Sequence, residues 1–316
     1  MLKYFLKRLG LLLPIVFGVS VVVFVTMRLL PGDVASAMLG NSASASPERL
    51  AQLRAQLGLD RPMYEQYADW VSKAVRGDLG ASMLSSAPVT PEILRRLPVT
   101  VELALFSILA AIVIGIPLGV LSAMKQNSSF DVVTRLASLV WLSVPGFWVA
   151  TILVLLASLY VPSWPTLGFV EFKTDPLGNL KTMLLPTVAL SAYVVGGTLR
   201  MTRSAMLEVL RLDYITAARA RGGPERVVVF KHALKNALIP VITLIGLYLG
   251  SLLGGAVLIE TIFTLPGLGK LLIDAIQGRD YPLVQGTVLF LAASVVLVNL
   301  LVDMLYGAID PRVRYD

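Results

Sequence analysis

The chain has no cysteine and a single histidine, and only 15% of its 316 residues are charged. Without cysteine there are no structural disulfides and no thiolate metal sites. An HExxH zinc centre needs two histidines, and His232 stands alone in a basic segment where it caps a helix or faces solvent. Also missing is a phosphate cradle: Gly269-Lys270 has no glycine five residues before Gly269 and is followed by Leu271 in place of Ser or Thr. No 20–50-residue repeat and no low-complexity tract is present. These absences leave an enzyme little to work with, and this chain has no ATP cradle of the P-loop kind.

What is present is apolar: 56% of residues, against the ~45–50% of soluble domains. Six windows hold no charged residue and no histidine: 9–27, 103–124, 136–170, 182–199, 236–259 and 281–302. Each reaches 18 residues or more, near the ~20 that span a ~30 Å hydrocarbon core. They predict an all-α, polytopic membrane protein with spans near 9–30, 99–124, 132–160, 182–203, 236–260 and 283–308. The third window is too long for one span. Pro162, Trp164 and Pro165 predict that its helix ends near Tyr160 and passes into an interfacial segment over 162–180, while Pro145 inside the span predicts a kink, gating or static.

The net charge of +7 is a topology signal more than a sign of nucleic acid. Lys3, Lys7 and Arg8 precede the first window, and residues 200–235 carry eight Lys/Arg against Glu208, Asp213 and Glu225. The positive-inside rule puts both regions in the cytoplasm, and an even number of spans returns Arg312 and Arg314 to the same side. The loop 31–97, with seven Lys/Arg and seven Asp/Glu, then lies outside. A basic start, an apolar run and Ala35-Ser36-Ala37 also imitate a cleaved signal peptide, but the 19-residue run exceeds a ~7–15-residue signal core and favours a retained helix.

Within the outer loop, Ser46 and Pro47 mark a helix start, with a stripe of Leu50, Leu53 and Leu57 stopped by Gly58. Pro62 opens a second helix bearing Tyr64, Tyr67, Trp70 and Val71 on one face. The insertion either packs on the outer mouth or helps to dock or gate a soluble partner. Further on, Pro266-Gly267-Leu268-Gly269 predicts a turn before a short re-entrant or surface helix.

Glycines at Gly246, Gly250 and Gly254 recur every fourth residue of the fifth span, and Ser107, Ala111, Gly115 and Gly119 do so on the second. Such stripes let helices approach closely, within the chain, at a subunit seam or beside a pore. Ionisable residues keep to the span ends, Glu102 and Glu260 near the outer face and Asp303 near the inner. This weighs against an ion-coupled secondary transporter.

The segment over 210–240 reads LRLDYITAARARGGPERVVVFKHALKNALIP. Asp213 to Arg221 suits a short helix whose Ala217, Ala218 and Ala220 keep the backbone accessible while Arg219 and Arg221 project charge. Gly222 and Gly223 stop it and Pro224 starts the next helix. Such a helix fits another protein's groove, although on charge alone a merely basic loop reads as well. The segment resembles the "EAA" loop of ABC-importer permeases: Ala217, Ala218 and Gly222 match at the right spacing, and Thr216 stands where the pattern has Glu. The ending HALKNALIP is similar to the peptide and nickel branch. So are KRLGLLLPIVFGVSVVVF, LPGD at 30–33, LGLDRPMYEQYADW at 57–70, GDLGAS at 77–82, LPGLGKLL with RDYPLVQG near 265–286, and the terminal DMLYGAIDPRVRYD.

The resemblance to B-type permeases of dipeptide, oligopeptide and nickel importers covers nearly the whole chain. It implies a type I importer permease in a bacterial inner membrane, among lipid, partnered by a second permease, two ATPase subunits and an external binding protein. It further implies that ATP and magnesium are held by the ATPases and no cofactor by this chain, and that Asp213, Tyr214, Ala217, Ala218, Arg219, Arg221 and Gly222 form an ATPase-coupling helix. The expected organisation is a helix over 1–30, an extracytoplasmic insertion over 31–97, a five-helix core over 98–308 containing a coupling loop at 207–235, and a tail over 309–316. Dipeptide, longer peptide, glutathione and nickel remain open as cargo.

Overall fold

Apolar runs of this length satisfy their backbone polar groups only by coiling, and the computed structural model is correspondingly helical. It describes residues 2–29, 47–56 and 59–309. Among them the one departure from helix and loop is an isolated antiparallel bridge between Ala81 and Pro88. The Ala35-Ser36-Ala37 site, the LPGD motif, Ser46 as a cap, Gly58 and residues 310–316 lie outside the described residues, as do the side chains of Lys3, Lys7, Arg8, Leu53, Leu57 and Asp303.

The chain divides into two compact units, Met1–Pro98 with Gly267–Val296, and Val99–Pro266 with Leu297–Asp316. The first unit begins with helix α1 (Leu2–Leu29), followed by the short helices α2 (Pro47–Gln56) and α3 (Met63–Val75). Tyr67 and Trp70 of α3 meet Phe24 of α1 at ring separations of 5.4 and 6.0 Å, and the Ser20 and Tyr67 hydroxyls share a hydrogen bond of 2.7 Å. Tyr64, expected on that face, is exposed. Helix α10 (Leu268–Gln277) supplies the expected short helix after Gly267, and Leu268 and Leu271 bury themselves with Leu79, Val89 and Ile93. Asp280 precedes helix α11 (Tyr281–Ile309). Its buried carboxylate accepts from the Ser82 hydroxyl and the Met83 amide, fastening the 82–85 turn.

The second unit is built round helix α7 (Pro176–Val209), which Asp175 caps by accepting from the Gly178 amide at 2.9 Å. Helix α4 (Val89–Met124), the pair α5 (Ser129–Ser143) and α6 (Gly146–Tyr160), and helix α9 (Glu225–Ile262) all pack against α7. Met183, Val194 and Val195 of α7 are buried with Leu103 of α4, Ala150 of α6 and Leu252 and Ala256 of α9. Helices α4 and α9 each contain one π-helical stretch, at Ala111–Gly115 and Val228–Ala233.

Among the described residues four helices, α4, α7, α9 and α11, are long and apolar enough to cross a membrane, and α5 with α6 makes a fifth candidate if the pair counts as one span. In α1 the apolar helical stretch Leu13–Leu29 is shorter. The kink expected at Pro145 in the third span is a sharp one: α5 and α6 meet at 101°, as a broken span or a re-entrant pair. The cause lies in Pro145, which has no N–H for a helix and forces Val144 into extended backbone (φ −84°, ψ 125°). The second span also starts earlier than expected. Helix α4 begins at Val89, and in its first turns the Glu92 carboxylate serves both Arg95 and Arg96 at 2.7–3.1 Å.

Candidate docking helix and its base

Between α7 and α9 the chain makes helix α8 (Asp213–Ala220), entered through extended Leu212 (φ −75°, ψ 146°). Asp213 sits in its first turn, where a carboxylate complements the positive end of the helix dipole. Ile215 is the one fully buried residue of α8. It enters a cluster formed by Val120 and Ala123 of α4, Met206 and Val209 of α7, and Val228, Val229 and Ala237 of α9, with Ala218 packed at its edge. Tyr214 fixes the rotation of the helix: its hydroxyl accepts from Asn236 Nδ2 at 2.6 Å and donates a long bond, 3.4 Å, to the carbonyl of His232. The imidazole of His232 is exposed.

The end of α8 is equally defined. Gly222 adopts φ +79°, a left-handed conformation that β-carbon-bearing residues resist, and its amide returns to the Arg219 carbonyl at 2.9 Å. Arg219 then reaches forward to Glu225 with bonds of 2.7 and 3.1 Å, and that carboxylate holds the guanidinium above its ordinary pKa. What remains outward is Asp213, Thr216, Ala217, Arg219, Ala220 and Arg221, with exposed Leu212, Val227 and Phe230 nearby. A helix held by one apolar anchor, presenting small and basic residues, can transmit a push. No metal cluster lies among the described residues.

A buried ion pair in the same unit has almost no counterpart in the sequence pattern. Asp131, at the start of α5, is fully buried and receives Arg203 of α7 in bidentate fashion, Nε at 2.6 Å and Nη2 at 2.8 Å. The Ser122 hydroxyl of α4 donates to the same carboxylate at 2.6 Å and the Asn127 amide at 3.0 Å. One carboxylate thus ties together the end of α4, the start of α5 and the last third of α7. Its only sequence signal is local: Asp131 follows Ser128 by three residues, and the Ser128 hydroxyl accepts from the Asp131 amide at 3.3 Å as a helix cap.

The remaining candidates scatter. Gly119 faces α7 so closely that a β-carbon there would come within 2.6 Å of Thr202 Cβ and 2.7 Å of the Leu199 carbonyl, and Gly115 lies against Thr198 and Val195. Gly246 packs on Val302 and Gly250 on Asn299, both of α11, whereas a β-carbon on Gly254 would meet nothing within 4 Å. Glu260 is fully buried and accepts from the Thr100 hydroxyl at 2.6 Å; Glu102 is half-buried.

Long apolar helices packed on α7, with a short helix in the basic segment between α7 and α9, define a polytopic membrane protein. Residues 115–315 match the family described as binding-protein-dependent transport system inner membrane component, and residues 1–104 match the N-terminal part of such membrane components. The chain belongs to this family, and is accordingly a multi-pass inner-membrane permease of the ABC importer class rather than an enzyme. Membership implies work alongside an ATPase and a substrate-binding protein. The chain is 44% identical to the dipeptide transport system permease protein DppB of Escherichia coli, across 100% of this chain and 99% of that one. It is 45% identical to a putative peptide transport system permease protein of Brucella abortus, across 98% of each, and 42% identical to DppB of Alkalihalophilus pseudofirmus, across the whole of both.

Proposed function

We propose that this chain is one of two permease subunits in an ATP-driven importer of di- and oligopeptides, with α8 as the helix through which a separate ATPase moves the membrane helices. The observation that carries the reading is the mounting of α8: Ile215 plugs into a cluster contributed by α4, α7 and α9, so displacement of α8 is felt by three spans at once. Ala217 and Ala220 leave room for a groove to close over the helix, and Arg219 and Arg221 suit an acidic rim. Gly222 sets the sharp exit that keeps α8 standing out from the span ends.

ATP and magnesium are held by two ATPase subunits, and this chain needs no cofactor. The second permease supplies the other half of the path, and an external binding protein delivers cargo to the outer side, where the insertion over 31–97 stands. Residues 98–308 are the transporting core, with the loop 207–235 as its cytoplasmic contact. Gly254, open in the isolated chain, faces the path or the partner permease. Peptide as cargo rests on the names of the relatives, and nickel or glutathione would be carried by the same architecture.

The test is purification of the tagged chain in mild detergent, wild type and Gly222→Asp, followed by uptake of a labelled dipeptide into proteoliposomes. An ATPase and a second permease should accompany the wild type, the ATPase should be lost from Gly222→Asp, and uptake should require ATP. A wild-type chain that comes out alone and transports without ATP would overturn the reading in favour of a secondary transporter.

A further inference from the structure

In the unit of Met1–Pro98 and Gly267–Val296, a cavity of about 420 Å³ lies among the end of α1, the face of α3, the Asp78–Gly80 turn and the first turn of α11. The volume falls within the ~300–1,000 Å³ of small-molecule sites. Four side chains in its wall carry a polar atom that is shut off from water and has no partner among the described residues. Three are N–H donors, Arg28 Nε, Trp70 Nε1 and Gln285 Nε2, and one is an acceptor, Gln66 Oε1.

These orphans are well defined. Gln66 donates through Nε2 to the carbonyls of Leu59 and Arg61 at 3.1 and 2.8 Å, which leaves its oxygen as the free end. Gln285 is 7% exposed. Arg28 lies over the Phe24 ring at 5.0 Å, and the Trp70 ring packs on the same phenylalanine. Folded chains bury few unpaired polar atoms, and four round one cavity need an explanation.

A ligand supplies it, and the wall specifies the kind. Unpaired donors with the cationic Arg28 and Lys73 suit an anionic group; an unpaired acceptor with Asp78, beside Asp69 in its 3.2 Å pair with Arg61, suits an ammonium. We infer that this cavity binds a small zwitterion, a carboxylate or phosphate joined to an ammonium group. Side-chain rotations of the kind that accompany binding bring the four orphans onto it. In the topology that the basic segments set, the end of α1 is on the outer side. There two sources of such a zwitterion exist: a free dipeptide, and the phosphoethanolamine headgroup of a membrane lipid. The first source rests on the peptide-importer reading; the second does not.

The experiment is equilibrium binding of labelled dialanine to the full transporter in phosphatidylglycerol nanodiscs, with O-phosphoethanolamine as competitor and labelled O-phosphoethanolamine in a parallel arm. Trp70→Phe deletes one N–H while keeping an aromatic ring against Phe24, and Gln285→Leu deletes another polar group at similar volume. Each should weaken binding about tenfold, the scale of one hydrogen bond to a charged group. N-acetyl dialanine amide, without either charge, should not bind. Dialanine held against competitor assigns the peptide source, and phosphoethanolamine bound alone assigns the lipid. If neither binds, or both variants bind as wild type does, the inference is overturned. Dipeptide uptake measured on the same transporter reconstituted in proteoliposomes separates the two readings: uptake without zwitterion binding sinks the cavity alone, and phosphoethanolamine binding without uptake sinks the peptide reading alone.

Discussion

Asp131 and Arg203, 72 positions apart in the sequence, meet in a two-pronged ion pair in which the carboxylate is wholly buried and the guanidinium 17% exposed. The pair clasps α5 to α7 directly behind the α8 cluster, since Val120 and Ala123 flank the Ser122 that shares the carboxylate, and Ala205 and Met206 follow Arg203.

Removing one partner of such a pair strands the other in a poorly solvated place, a loss of about 3–5 kcal/mol. Asp131→Ala is expected to lower the melting temperature sharply, read by tryptophan fluorescence in detergent. Arg203→Met added to Asp131→Leu should restore most of that loss, because well-packed apolar replacements spare the desolvation of both ions. A double variant no better than Asp131→Ala would mean that the hydrogen bonds from Ser122 and Asn127, and not the charge, hold the clasp.

Ile215 is the sole buried anchor of α8, so Ile215→Ala should cost about 2–5 kcal/mol locally through the cavity it leaves. The spans themselves do not depend on it, and the chain should still reach the membrane and co-purify with its partner permease. The expected deficit is in coupling: ATP hydrolysis that no longer drives uptake in proteoliposomes. Ile215→Val, a loss of one methylene, should retain most of the coupling.

The long spans were legible because hydrophobic runs near 20 residues have one solution in a bilayer, and the boundaries of α8 were legible because Gly222, Gly223 and Pro224 punctuate them. The bend at Pro145 was legible as a position but not as an angle: a proline fixes where a helix is weak, while the 101° turn depends on how α5 and α6 each pack on α7. The Asp131–Arg203 clasp was not legible at all. Each residue reads as an ordinary charge beside an apolar run, and only the folded approach of α5 to α7 pairs them. Ile215 was likewise hidden, since one isoleucine in an eight-residue polar helix has no periodic signal.

Gly222 holds φ +79° with open space where a β-carbon would go, so its difficulty is the backbone and not crowding. Gly222→Ala is therefore expected to cost roughly 1 kcal/mol, and Gly222→Asn less, because asparagine tolerates the left-handed region. Arg219→Ala removes an ion pair whose members are 41% and 55% exposed, and its effect on stability should stay under about 1 kcal/mol. If Arg219→Ala nevertheless abolishes ATPase co-purification, the guanidinium contacts the partner and not merely Glu225.

Gly119 and Gly254 make opposite expectations from the same residue type. A β-carbon at Gly119 would press on the α7 backbone carbonyl of Leu199, which cannot give way as a side-chain tip can, so Gly119→Ala should destabilise the chain and Thr202→Ala should rescue it only in part. Gly254→Ala fills open space and should leave the melting temperature unchanged. The informative substitution is Gly254→Leu, also tolerable in the isolated chain. If it spares both assembly with the partner permease and uptake, the surface at Gly254 faces lipid. If it blocks uptake while assembly persists, Gly254 lines the path, and if assembly itself fails, Gly254 lies in the seam between the two permeases.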